Sequence, residues 1–200
     1  EFDVNKISAA IFNHVISEKD FRPVGEIALD VNLAKEKVIN YYLGGGNPVA
    51  SIRSAWNDPN AAYLAIKGGG PGHSHSHQDG GNFVFDRDGV RWFWDIGSED
   101  YNRLEQAKVD LWNGLPGADR WKIQRYCLAI HNTVMIDGRD SSEVWAGHRV
   151  GRRAKSRVIS LNARELKAEC VDVRGNRHTR TLRLTENGLF GSDEINLASS

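Results

Sequence analysis

The sequence is poor in sulfur: among its 200 residues only Cys127, Cys170 and Met135 carry it. Two cysteines are too few for a disulfide scaffold, and their spacing fits no paired-cysteine zinc motif; whether they bond to each other is left open. Net charge is lacking too, since 26 Lys and Arg balance 26 Asp and Glu. That balance removes any general electrostatic attraction to nucleic acid or acidic lipid, so a site for a polyanion must be local. No run of about 18 apolar residues is present, so no membrane-spanning helix is expected. With the only methionine at Met135 and Glu1 at the start, a processed or truncated chain is expected, carrying part of a larger protein. What remains, 40% hydrophobic and 26% charged residues, is ordinary for a soluble globular chain and excludes collagen-like and disordered classes.

Apolar residues at helical spacing (Ile7, Ile11 and Val15, then Ile27, Val31, Ala34 and Val38) predict two helices within 5–43. Gly44-Gly45-Gly46-Asn47-Pro48 then marks a boundary, giving a helical segment over 1–46 and a second unit over 47–200. Beyond it the pattern becomes β. Strands are predicted at 49–56, 61–67, 82–86, 90–96, 133–136, 157–161, 166–173, 179–184 and 189–195. Arg87-Asp88-Gly89 supplies the turn chemistry of a hairpin. Short strands at such spacing predict a mainly β fold, an antiparallel sandwich or barrel.

Within this β texture lies His73-Ser74-His75-Ser76-His77-Gln78-Asp79. Alternate spacing on an extended segment turns imidazoles to one side, where they can meet one cation, and a carboxylate completes or orients such a set. Asp95 and His131 are the long-range candidates. A solvated histidine loop is the bland alternative. A phosphate-binding loop is excluded because the glycines at 68–72 are followed by no lysine. A binuclear hydrolase motif HxHxDH fails at Gly80, and a cupin would want a glutamate within 80–85, where there is none.

The ordered set His75-Ser-His77-Gln-Asp79-Gly-Gly-Asn-Phe83, Gly89-Val-Arg-Trp92, Asp95-Ile-Gly97, Tyr101 and His131-Asn132-Thr133-Val134 resembles the heparinase II/III-like polysaccharide lyases. The resemblance runs over about 56–138. It implies an antiparallel β-sandwich, and the two helices look like the end of an (α/α) toroid that precedes it. It also implies β-elimination on an acidic, uronate-containing polysaccharide such as heparan sulfate or alginate, in the periplasm or outside the cell. Carried over by position, His75 would be catalytic, and His77, Asp95 and His131 would hold a structural zinc ion. His73 has no counterpart in the motif. Tyr101 is preferred to Tyr126 as the family's catalytic tyrosine, because it follows Asp95-Ile-Gly97 on what should be a rim loop.

Two further features bear on substrate. The stretch 147–157 carries Arg149, Arg152, Arg153, Lys155 and Arg157 with no acid. Forked guanidinium groups there would suit sulfate or carboxylate, and a charged strand edge is the equal alternative. Of the tryptophans, Trp92 and Trp94 alternate on what should be a central strand and are expected in the core, whereas Trp112 and Trp121 are expected to be accessible, with Trp112 a candidate for sugar contact. A noncatalytic carbohydrate-binding or structural, metal-stabilised sandwich is the competing reading.

Overall fold

A computed structural model describes residues 40–56, 58–71, 75–115, 117–138, 155–172 and 174–198. Among these residues nine strands form two antiparallel sheets, each in sequential order. The first holds β1 (Asn40–Leu43), β2 (Val49–Arg53), β3 (Tyr63–Lys67), β4 (Phe83–Arg87) and β5 (Val90–Phe93). The second holds β6 (Lys155–Leu161), β7 (Glu165–Val171), β8 (Arg177–Thr185) and β9 (Gly188–Asn196). Most of these neighbours are joined by connections of a few residues, which is all an antiparallel reversal needs, whereas the longer stretch 68–82 separates β3 from β4. Between β4 and β5 both Asp88 (φ 56°) and Gly89 (φ 72°) are left-handed, the conformation that twists a two-residue turn to match its strands.

The sheets face each other across one apolar core. Ala50, Ile52, Leu64, Ile66, Phe83 and Phe85 of the first meet Leu166, Ala168 and Leu182 of the second. β7 shows the cause in its sequence: Leu166, Ala168 and Cys170 point inward and alternate with half-exposed Glu165, Lys167 and Glu169. An isolated bridge between Gly69 and Ser156 also ties the end of β3 to β6.

Several sequence expectations need correction. Residues 5–39 of the predicted helices lie outside the described residues, but 40–43 are strand, paired with β2 across the glycine turn. No strand forms at 133–136, where the Thr133 hydroxyl instead donates to the Gly80 carbonyl. Trp92, in the edge strand β5, and Trp94, just past its end, are 61% and 60% exposed. Trp121 is only 2% exposed. With Leu111 and Tyr126 it fills a small second core beneath the 97–130 segment, against Tyr101 and Leu104.

The stretch around Arg157 is acid-free in sequence but not in space. Glu169 on the neighbouring β7 accepts from Arg157 Nε at 3.0 Å and also pairs with Arg177. Outward Arg157 is therefore part of an ion-pair ladder, while Arg149, Arg152 and Arg153 lie outside the described residues.

Candidate functional site

The inward face of β8 changes character along its length. Leu182 lies in the apolar core, whereas Arg180 and His178 are buried polar groups. Charge this deep requires partners. Arg180 has them: Nε and Nη2 donate to Asp193 of β9 at 2.8 and 2.9 Å, and Nη1 donates to the carbonyls of Gly81, at 3.0 Å, and Asn132. His178 Nε2 stands 2.7 Å from the same Asp193. The second sheet thereby fastens two loops at the end of the sandwich, one carrying His75, His77 and Asp79, the other His131.

Burial opposes ionisation of Asp193, but hydrogen bonds from His178 and Arg180 prevail and hold its carboxyl below the usual range. A depressed carboxylate contributes stability above its unfolded value, about pH 4, and loses it as pH falls through the folded value. Asp193→Asn is therefore expected to be less stable than wild type near neutrality. The gap should narrow below about pH 4 in urea melts across a pH series; an unchanged gap into strong acid would disprove the linkage.

Gly81 makes the close approach possible. Its φ is +76°, and a Cβ there would lie 2.8 Å from Cys170 Sγ. Gly81→Ala combines left-handed strain with overpacking, for an expected loss of about 2–4 kcal/mol in denaturant unfolding. Wild-type stability would mean that loop and sheet are not tightly apposed. Burial pushes the Cys170 thiol up to about 12, so it packs as an apolar group.

The two loops also lock to each other. Asn82 Nδ2 donates to Asp95 Oδ2 at 2.8 Å, and Asn82 Oδ1 accepts from the Asn132 N–H at 2.8 Å. Asn132 Nδ2 donates to the carbonyls of Phe83 and Trp94, and Thr133 Oγ1 donates to that of Gly80. His131, Asn132 and Thr133 are thus bound to the segments that carry the histidines and Asp95.

These fastenings produce two adjoining clusters. In the inner one, His131 Nδ1 lies 2.5 Å from Asp95 Oδ2, and the rings of His131 and His77 are 5.7 Å apart and inclined by 28°. His77 also packs on Tyr126 at 4.4 Å. Burial lowers the His77 pKa to about 4, outweighing the attraction of Asp79. Asp79 is buried as well; burial raises its pKa, but the ion pair with Lys67 more than reverses this, and the carboxyl lies below its ordinary value. Asp95 shows the same balance, with the His131 hydrogen bond prevailing over burial.

The inner cluster suits a metal in donor type. His77 is held neutral, and His131 Nε2 is a buried nitrogen with no hydrogen-bond partner among the described residues. As the side chains stand, no three His, Cys, Asp or Glu groups among the described residues converge on one point.

The outer cluster is more open. Asp100 caps a short helix, α1 (Tyr101–Gln106), by accepting from the N–H groups of Asn102 and Arg103 at 2.9 and 3.3 Å. This cap sets Tyr101 at the first helical position. Tyr101 Oη lies 3.1 Å from Nδ1 of exposed His75, with the rings stacked at 5.6 Å and inclined by 9°. Trp112, 57% exposed, stands edge-on to both rings. His75 adopts a left-handed φ of 59°, uncommon for a residue with a side chain and concentrated at functional sites. Tyr126 is buried, and burial, with Tyr101 adding to it, pushes its phenol up to about 12.

The sequence-named site residues that the structure describes fall into two neighbouring groups, His75–Tyr101–Trp112 and His77–Asp95–His131, while Arg149, Arg152 and Arg153 lie outside the described residues. Sequence reading passed over Arg180, Asp193, Asn82, Lys67 and Arg120. Alternation carried one signal for them: His178 and Arg180 share a face of β8 with Leu182, so polar groups were due inside.

A two-sheet antiparallel β fold bearing a histidine–carboxylate cluster beside a His–Tyr pair defines the class. Residues 50–200 match the model of the heparinase II/III-like C-terminal domain, and the chain belongs to that family. Among curated proteins nothing matches the chain.

Proposed function

We propose that this domain supplies half of the active site of a lyase that cleaves an acidic, uronate-containing polysaccharide by β-elimination. The observation that supports the reading most is the His75–Tyr101 pair, two proton-transfer groups 3.1 Å apart on the exposed side of the site. Family membership makes the protein one of a polysaccharide lyase family.

The chemistry defines what the pair has to do. A base takes the proton from C5, next to the uronate carboxylate. The electrons form the C4–C5 double bond, the C4–O bond breaks, and an acid protonates the departing oxygen. No water is consumed. His75 takes the C5 proton, and Tyr101 donates to the leaving oxygen. After each elimination His75 carries the C5 proton and Tyr101 has given up its own, so their contact lets the proton pass from Nδ1 back to Tyr101 Oη and restores both groups. Trp112, exposed beside both, provides an apolar face for a sugar ring. Arg149, Arg152 and Arg153 are the proposed binding groups for sulfate or carboxylate.

His77 and His131, with the Asp95 carboxylate, would hold a structural zinc ion. Bound there, zinc supplies a fixed point and not an activated water, because elimination needs none. His77 lies two residues from His75, so fixing one imidazole fixes the backbone that aims the other. This reading places the protein where such polymers occur, in the periplasm or outside the cell.

The test is to incubate the intact chain with heparan sulfate, alginate and other uronate polymers and follow the ultraviolet absorbance of unsaturated uronate. A rise on at least one polymer is expected. Retention on an immobilised polymer with no rise on any would favour the noncatalytic carbohydrate-binding reading.

A further inference from the structure

Arg120 lies in the 3-10 turn Asp119–Lys122 and is 5% exposed. A guanidinium so deep must have its donors met. Here the acceptors are main-chain carbonyls: Leu111 O lies 3.1 Å from Nη1 and Ser76 O 2.7 Å from Nη2. The guanidinium carbon also sits 4.8 Å over the Tyr126 ring and 5.4 Å over that of Trp121, so two aromatic rings add to the hold on the cation.

The identity of the two carbonyls gives the contact its meaning. Ser76 separates His75 from His77, and Leu111 directly precedes Trp112. One buried cation thus spans the two segments that bear the histidines and the exposed indole. The histidine segment has reason to need it, because the left-handed backbone of His75 persists only where surrounding structure over-determines it. The other described main-chain fastening is the Gln78 N–H, which donates to Tyr126 O at 2.9 Å. Ser76 Oγ and both amide atoms of Gln78 are buried without hydrogen-bond partners among the described residues. Arg120 therefore carries much of the polar attachment of this segment.

We propose that Arg120 is a positioning residue for the elimination: by bridging the Ser76 and Leu111 carbonyls from beneath, it sets the place of His75 against Tyr101 and Trp112. This rests on the elimination reading above. Lysine at this position would keep the charge but not the planar fork, and so would reach one carbonyl and leave the other.

The experiment compares wild type, Arg120→Lys and Arg120→Met in the intact chain. It reads kcat and KM on the uronate polymer, thermal unfolding, and amide hydrogen exchange followed by mass spectrometry. In the Met variant, exchange should quicken at 75–78 and 111–112 while 63–67 and 165–171 stay protected. A misplacement of the order of 1 Å lowers kcat by about 100-fold, with KM little changed. The Lys variant should fall between the two, and it carries the same readouts where the Met variant does not fold. Unchanged turnover per folded molecule, loss of protection spread evenly over both sheets, or a Lys variant equal to wild type would each overturn the proposal. If wild type cleaves no uronate polymer, the elimination reading fails, and the exchange pattern alone decides whether Arg120 holds the two segments.

Discussion

Replacing His75 with alanine is expected to lower kcat of the intact chain on its uronate polymer by about 100- to 10,000-fold, the usual contribution of a positioned proton-transfer group. The fold should scarcely notice. His75 is exposed, and the ring contacts described for it are to Tyr101 and Trp112. Removing them costs little, because neither neighbour is left with a buried charge. Tyr101→Phe should reduce turnover in the same direction while keeping the stacked ring, since it removes only the hydroxyl that meets Nδ1. His75→Gly supplies a control on the backbone. Relief of the left-handed φ should offset glycine's greater freedom in the unfolded chain, leaving stability near wild type with turnover still lost. An alanine variant with wild-type kcat, or one that unfolds, would remove His75 from the catalytic role.

The second large effect belongs to His77. If His77, Asp95 and His131 hold zinc, wild type should carry about one ion per chain, as a single three-ligand site requires. His77→Ala should carry almost none. A ligand that binds only the folded state stabilises it by mass action, about 2.7 kcal/mol when free zinc is 100 times Kd. His77→Ala should therefore melt well below His75→Ala, and a chelator should bring wild type down toward it. His77 also packs on Tyr126, so part of the loss should persist in chelator. The opposite ranking of the two variants would mean that their roles are exchanged. Absence of zinc from wild type, together with indifference to chelator, would remove the metal.

What was legible in the sequence was what depends on neighbours along the chain. Asp88-Gly89 predicted the turn that joins β4 and β5, because only small or polar residues take two consecutive left-handed conformations cheaply. A strand was legible over 166–173, and β7 forms at Glu165–Val171. What depends on strand order was not legible: Trp92 and Trp94 alternate as a central strand would, yet β5 has no outer neighbour among the described residues. Asn40–Leu43 continues a helical apolar spacing, but it pairs with β2 once the glycine turn reverses the chain. A strand was expected at 133–136, but there the Thr133 hydroxyl donates to the Gly80 carbonyl, and the preceding Asn132 bonds the carbonyls of Phe83 and Trp94.

The candidate site divides in the same way. Its residue types could be named from an ordered motif, and the structure sets them in two clusters at one end of the sandwich. Hidden from sequence were the supports from elsewhere in the chain. Arg180 reaches the Gly81 carbonyl from the opposite sheet, and Arg120 reaches the Ser76 carbonyl from 44 positions away. Neither belongs to the motif. Arg157 illustrates the converse: the acid-free stretch read equally as an anion site or a charged strand edge, and Glu169 on the next strand pairs with that arginine.

The most direct test of elimination is to let the intact chain cleave its polymer in heavy-oxygen water and weigh the products. Elimination predicts new chain ends with no heavy oxygen, and an unsaturated uronate on one of them. Incorporation of one heavy oxygen atom per bond broken would show hydrolysis and contradict the proposed chemistry of His75 and Tyr101.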